Sequence, residues 1–468
     1  MIFSKRRLGP SLAVLACLVF PAAQAAAPAD VRAEARDILD HVIAYKTSEG
    51  LGQVPSMANY LADKFRAGGF PADDVHVLPL GETTALVVRY RGSGKGGKPI
   101  LFMAHMDVVT AKQEDWQRDP FKLIEENGFF FGRGTADIKC EVALLTTTFL
   151  RLKAEKFVPT RDLIITFTGD EETSGATAQM LVTKYRSLVD GEYALNGDGG
   201  GGELDDATGK PTVYYVQGAE KSYSSYTFTT HNPGGHSSQP QPDNAIYELA
   251  DALKALQAYQ FPVKYNDWTL GSLKVSASKT TGELGDALKK FVEHPGDADA
   301  AAIISRYPHM VGRIRTTCVA TLLKGGHADN ALPQSATATV NCRIFPETSI
   351  DDVRATLQNV AGPKVEVKGI GHPVVGPPSP VRADVQAAVA KAVHVNYPAA
   401  SIVPSQSSGA SDGTYYRSAG IPTYGTSSIF IKDADDFSHG LNERVPVASF
   451  YAGLDHWYVL IHELAGKH

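Results

Sequence analysis

Cysteine is scarce in this chain, positive charge is in deficit, and beyond the first 25 residues no apolar run approaches the ~20 residues of a membrane-spanning helix. Four cysteines in 468 residues, none in a CxxC pair, exclude a disulfide framework. One bridge between Cys318 and Cys342 needs their strands to form a hairpin; two buried thiols are the equal alternative. With 45 Lys and Arg against 51 Asp and Glu, the formal net charge is -6, which argues against nucleic acid and anionic membranes as partners. No internal repeat is visible, so the fold is not built from stacked copies of one unit.

What is present begins with an N-terminal pattern. Lys5-Arg6-Arg7 precede an apolar stretch from Leu8 to Ala23, and Ala23-Gln24-Ala25 supplies small residues for cleavage. This pattern predicts a secretory signal peptide over 1–25, an exported protein in the periplasm or outside the cell, and a mature formal charge of -9 once three positive charges are removed. A lipoprotein signal ending at Cys17 is the minor alternative, disfavoured because Leu18-Val19-Phe20 continue the apolar run.

From Val31 to about Gly218, apolar strands at Ala85–Tyr90, Ile100–Met106, Leu163–Thr168 and Tyr193–Asn196 alternate with helical stretches at Met57–Ala67, Ile138–Lys153 and Ala176–Tyr185. Continuous apolar strands interleaved with helices predict an α/β fold whose sheet is covered on both faces, with the active site beyond strand ends. From Ser222 the pattern changes. A strand with Tyr223, Tyr226 and Phe228, a helix Ala245–Leu256, strands Thr316–Leu323 and Ala336–Phe345, a helix Ile350–Val360 and a strand Val365–Ile370 read β-α-β-β-α-β, a ferredoxin-like lid. The Phe261–Arg313 stretch exceeds an ordinary connection and predicts extra helices such as Leu284–Val292. Pro377-Pro378 marks a return to the first domain, through a helix Ala383–Val393, a loop Ser405–Gly413, a strand Pro422–Gly425 and a final helix. The expected organisation is therefore a catalytic domain in two parts, 26–218 and 374–468, around a lid at 219–373 that contains the 261–313 insertion.

Charge gathers where these strands end. Asp170-Glu171-Glu172 follow one, His105-Met106-Asp107 another, and Asp198 a third. Carboxylates crowded at such a mouth need a metal, an arginine or a proton, and the neighbouring histidine favours metal. Asp137 after Gly132-Arg133-Gly134, and His439 in Ser438-His439-Gly440, are further candidates. Each has a plain structural alternative: a helix cap for Asp137, an acidic helix start for Asp170-Glu171-Glu172, a turn for Asp198, a surface loop for His439.

In this order and at these spacings the motifs His105-x-Asp107, Gly132-Arg133-Gly134-x-x-Asp137-x-Lys139, Asp170-Glu171-Glu172, Asp198 and His439-Gly440-x-x-Glu443 resemble the M20 family of zinc metallopeptidases and amidohydrolases, over nearly the whole mature chain. The resemblance implies a catalytic domain with a mixed central sheet flanked by helices and an inserted α+β lid or dimerisation domain. It also implies two Zn2+ ions, with Co2+ or Mn2+ as alternatives: His105 and Asp198 on one, Glu172 and His439 on the other, Asp137 bridging. Glu171 is then the general base and Asp107 the carboxylate that orients His105. In the lid, His236 would stabilise the oxyanion, and Asn330 and Arg343 would grip the substrate, Arg343 through a carboxylate; Ser411-Asp412-Gly413 resembles the substrate-side loop. Two departures stand out. Cys140 replaces the usual glycine, and the long insertion puts the dimerising role of the lid in question.

The implied activity is hydrolysis of short peptides with a free C-terminal carboxylate, of carboxypeptidase or dipeptidase type. Aminoacylase-type removal of an N-acyl group is the runner-up, and a catalytically inactive peptide-binding protein the remote third. Gly92–Lys98 matches most of a phosphate-binding loop, but Pro99 and a strand follow where a hydroxyl and a helix are needed, so the segment is read as a hairpin loop.

Overall fold

The computed structural model describes residues 26–467, so the expected signal peptide and the Cys17 alternative lie outside the described residues. Its larger part is a ten-stranded mixed sheet. The strands Leu163–Thr168, Ile100–His105, Tyr193–Asn196 and Thr423–Gly425 lie side by side and parallel at its centre. Antiparallel strands extend it on either side, Thr83–Tyr90 and Val75–Leu80 beyond one edge, Pro211–Glu220 and Gly201–Leu204 beyond the other.

The central strands are buried throughout, and apolar apart from Thr166, Thr423 and the end residues His105, Thr168 and Asn196, because each face has its own core. Ile100, Phe102, Ala104, Leu163, Ile165 and Phe167 join one cluster, with residues of the helices Ala29–Ala44, Lys139–Ala154 and Val447–Ala465. The alternate residues Leu101, Met103 and Ile164 join another, under the helices Ala176–Thr183 and Gly413–Ser418. Side chains of successive strand residues point to opposite faces, so a sheet covered on both sides leaves no position for water-facing residues.

The smaller part is a four-stranded antiparallel sheet in the order Thr317–Gly325, Ser335–Ile344, Ser222–His231, Val365–Ile370. Helices Ala245–Ala258 and Ile350–Ala361 bury its apolar face around Tyr226, Phe228, Leu249, Val340 and Leu357. Tyr223 lies on the opposite face, an odd number of residues from Tyr226, and is exposed. Cys318 and Cys342 are direct cross-strand partners joined by a disulfide, while Cys140 is a buried thiol.

The long insertion forms helices Asp267–Lys279, Gly282–Glu293, Ala298–Ile304 and Pro308–Val311. Although it interrupts the small sheet in sequence, it packs on the large one. The Trp268 ring lies on Gly218, where a Cβ would stand 2.0 Å from it, and Trp268 Nε1 donates to the Ser379 carbonyl at 2.9 Å. The Gly92–Lys98 segment is not a hairpin either. The strands it joins, Thr83–Tyr90 and Ile100–His105, are separated by Leu163–Thr168. Its Ser93 and Gly96 N–H groups are spent on the Pro159 and Thr160 carbonyls, at 2.8 and 2.7 Å. The expected loop from Ser405 begins later, because Ser401–Ser407 is a strand parallel to Pro211–Glu220.

Candidate active site

Parallel strands end on a common edge, and that is why three segments distant in sequence deliver carboxylates to one place. His105 is the last residue of its strand; Glu171 and Glu172 follow Leu163–Thr168, and Asp198 follows Tyr193–Asn196. Asp137 stands two residues ahead of the Lys139–Ala154 helix, and His439 comes from the loop before the final helix.

Asp137 sits between the two histidines. Its Oδ1 is 3.0 Å from His105 Nε2 and its Oδ2 is 3.1 Å from His439 Nε2. His439 Nε2 also lies 3.0 Å from the Glu172 carboxylate. His105, Asp137 and Asp198 form one group whose ligand atoms lie within 4.8 Å of one another; Asp137, Glu172 and His439 form a second, and His105, Glu171 and Glu172 a third.

The supporting residues explain this placement. His105 Nδ1 faces the Asp107 backbone carbonyl at 3.0 Å and the Asp107 carboxylate only at 3.5 Å. That carboxylate instead accepts the backbone N–H groups of Glu171 and Glu172, at 3.1 and 3.0 Å. Asp107 thus orients the imidazole mainly through its main chain, and its side chain aims the two glutamates. Asp170 takes the structural role open to all three acids: its carboxylate accepts Ala176 N at 2.7 Å and Thr177 N at 2.9 Å, capping the helix that follows.

The Asp137 loop is shaped by Glu443, whose Oε1 accepts Gly134 N, Ala136 N and Asp137 N at 3.0, 2.8 and 3.0 Å. Arg133 pairs with Glu443 Oε2 at 2.6 Å and donates to the His439 and Gly440 carbonyls at 3.3 and 3.1 Å, tying the Asp137 loop to the His439 loop. Both side chains are buried. Motif spacing in the sequence marks Glu443 and Arg133, but only the fold reveals their work. Glu443→Gln leaves the Arg133 charge uncompensated and is expected to lower stability by about 3 to 5 kcal/mol, measured by denaturant unfolding; an unfolding midpoint like that of the parent would contradict this role.

Electrostatically the site is overcharged. Burial, and then the negative neighbours Asp137, Glu220 and Glu172 working against His105, push Asp198 up to about 7. Burial and Asp198 likewise raise Glu171. Burial would raise Asp137 as well, but hydrogen bonds with His105 and His439 outweigh it and hold its carboxyl low. Hydrogen bonds with Asp137 and Glu172 raise His439 to about 10. Among the described residues, no lysine or arginine pairs with Asp137, Glu171, Glu172 or Asp198. Two imidazoles with clustered carboxylates and no basic partner are a donor set suited to divalent cations of borderline hardness.

Asp412, placed by the resemblance in a substrate-side loop, was given no role of its own. It is buried, Thr168 Oγ1 donates to its Oδ2, its Oδ1 has no hydrogen-bond partner, and burial pushes it up to about 8. Glu171, Glu172 and Asp412 line a cavity of about 560 Å3 together with Tyr223, Arg343 and Tyr415. The Arg343 guanidinium lies 4.9 Å from the centre of the Tyr223 ring.

His236 and Asn330 are not in that cavity. The Gly235-His236 segment pairs with Ala331-Leu332, and Ser237 N donates to the Asn330 carbonyl at 3.1 Å, so the two stand together and exposed. They lie past the His231↔Ser335 end of the small sheet, whereas Tyr223↔Arg343 is at the other end. Eight residues of strand separate those pairs by about 26 Å.

The model of peptidase family M20/M25/M40 matches residues 101–463. The human N-fatty-acyl-amino acid synthase/hydrolase PM20D1 is 29% identical over 370 residues, 77% of this chain and 73% of that protein. Among solved structures, the M20 family metallo-carboxypeptidase Sso-CP2 from Sulfolobus solfataricus superposes with a TM-score of 0.70 at 17% identity, covering 92% of this chain and 99% of that one. The di-peptidase Dug1p from Saccharomyces cerevisiae gives 0.65 at 16% identity, covering 93% and 96%.

Proposed function

The chain belongs to peptidase family M20/M25/M40 and is a hydrolase of amide bonds, and from that premise we propose that it is an exported dinuclear zinc enzyme that cleaves short peptides bearing a free C-terminal carboxylate. The observation that carries this reading is the pair of Asp137 oxygens facing His105 and His439 across from a cavity that also holds Arg343.

When bound, two divalent cations supply Lewis-acid polarisation of the amide carbonyl and acidification of water. His105 and Asp198 would hold one, Glu172 and His439 the other, with Asp137 shared. Glu171 takes a proton from the attacking water as the C–O bond forms and the carbonyl oxygen becomes an oxyanion, then gives that proton to the amine nitrogen as the C–N bond breaks and the carbonyl re-forms. Arg343 pairs with the substrate carboxylate and sets the distance from it to the scissile bond.

A second reading, removal of an acyl group from N-acyl amino acids, is favoured by the similarity to PM20D1. Both substrates present an amide next to a carboxylate. Hydrolysis of dipeptide and N-acetyl amino acid panels, with and without chelator and restored zinc, separates them; chelator-insensitive turnover would refute the metal assignment. Arg343→Ala should raise KM for free-carboxylate substrates by about 10- to 100-fold and leave amidated versions nearly unchanged. Equal losses on both would remove Arg343 from substrate recognition.

Dimerisation is part of the proposal. Strand Thr317–Gly325 is an edge of the small sheet and exposes Val319, Leu322 and Leu323 at 60, 68 and 71%. An unpaired apolar edge of this kind suits a second copy of the chain. In such a pair His236 and Asn330, distant from their own cavity, are available to the partner's. Export is supported by the N-terminal pattern and by the Cys318–Cys342 bridge, which persists best in an oxidising compartment. No described helix is long and apolar enough to cross a membrane.

A further inference from the structure

Behind the candidate metal carboxylates lies a buried polar network that the hydrolytic scheme does not use. Its centre is Glu220, the last residue of strand Pro211–Glu220 and 3% exposed. Arg417, also buried, donates to Glu220 Oε1, as does the Thr414 hydroxyl at 2.5 Å. Glu220 Oε2 accepts the Ser411 hydroxyl at 2.9 Å and Gln217 Nε2 at 3.2 Å. The Ser411 oxygen, its proton committed to Glu220, accepts Asn196 Nδ2 and Gly413 N, both at 3.2 Å. Asn196 in turn brackets Asp198, accepting its N–H at 3.0 Å and donating to its carbonyl at 3.1 Å.

The donors therefore run in one direction, from Asn196 through Ser411 to Glu220. We propose that Glu220 is a positioning residue, which through Ser411 and Asn196 holds the Asp198 loop and the adjoining Asp412 loop in register with each other. The inference rests on the hydrolase reading for its kinetic consequence but not for its metal-binding one. Four donors converge on two carboxylate oxygens, and only an acceptor on both sides satisfies them. A glutamine there turns one acceptor into a donor facing donors, and the break passes along the chain to Asp198. The neighbouring residue extends the reach of this hub: Lys221 Nζ donates to the Arg315 carbonyl at 2.9 Å and the Thr317 hydroxyl at 3.2 Å, where the chain crosses into the small sheet that carries Arg343.

The test compares Glu220→Gln with the parent in the full chain, by steady-state kinetics on a cleaved dipeptide and by calorimetric zinc titration of the metal-stripped protein. The expected result is a kcat lower by about tenfold, KM within about twofold, and zinc affinity at one of the two sites weaker by about tenfold. A folded variant with parental kcat and parental zinc titration overturns the proposal. If Glu220→Gln fails to fold, Ser411→Ala decides instead, because it cuts the relay and leaves the Glu220–Arg417 pair in place; parental kcat and zinc affinity in that variant overturn the proposal equally. A parent enzyme inactive on every amide would refute the hydrolase reading, while the zinc titrations would still judge Glu220.

Discussion

Glu171→Gln is expected to lower kcat by about three to four powers of ten while KM and the number of metals bound per chain stay at their parental values. The substitution keeps the volume of the side chain and removes its ability to take a proton. The backbone contact that aims this residue is also kept, because Asp107 Oδ1 accepts the Glu171 main-chain N–H at 3.1 Å and not a side-chain atom. Glu172, one residue on, has its carboxylate 3.0 Å from His439 Nε2 and belongs with Asp137 in a candidate metal group. Glu171 is itself close enough to His105 and Glu172 to form a third such group, so a ligand role is the real competitor. Metal analysis of the purified variant separates the two: a base leaves two metals bound, whereas a ligand takes one with it when it goes.

His236→Ala should lower kcat by about two to three powers of ten, the usual cost of deleting a donor to a developing oxyanion. The geometry makes an unusual demand here, since His236 stands at the far end of the small sheet from Arg343. If the residue acts across a dimer, mixing inactive His236→Ala with inactive Glu171→Gln and allowing subunits to exchange regenerates sites with both groups intact. Random pairing makes half of the dimers mixed, each with one complete site, so roughly a quarter of parental activity should return. An inactive mixture in a protein that is dimeric by light scattering and whose differently tagged subunits co-purify after mixing would exclude action in trans.

The central strands were legible in the sequence because Ile100–His105 and Leu163–Thr168 are buried on both faces and, Thr166 apart, are apolar up to their last residue. The β-α-β-β-α-β order of the small unit was legible for the opposite reason: in Ser335–Ile344 buried residues alternate with partly exposed ones. The packing of the insertion was hidden, since what holds Trp268 is Gly218 and the Ser379 carbonyl, one far before it and one far after. Periodicity reports which face of a helix is apolar and is silent on what covers it. The same limit applies at the site. Motif order brought His105, Asp137, Glu172, Asp198 and His439 together, but the division of labour among Asp107, Asp170 and Asp412 depends on which hydrogen atoms each oxygen meets.

The clasp between Arg133 and Glu443 spans 310 residues of sequence. Until residue 443 is in place, the loop ahead of Asp137 has three backbone N–H groups without the acceptor they meet in the folded protein. Closing so long a loop is entropically costly. A chain in which residues 439–443 have not docked therefore lacks both the His439 imidazole and the acceptor that the loop ahead of Asp137 folds around.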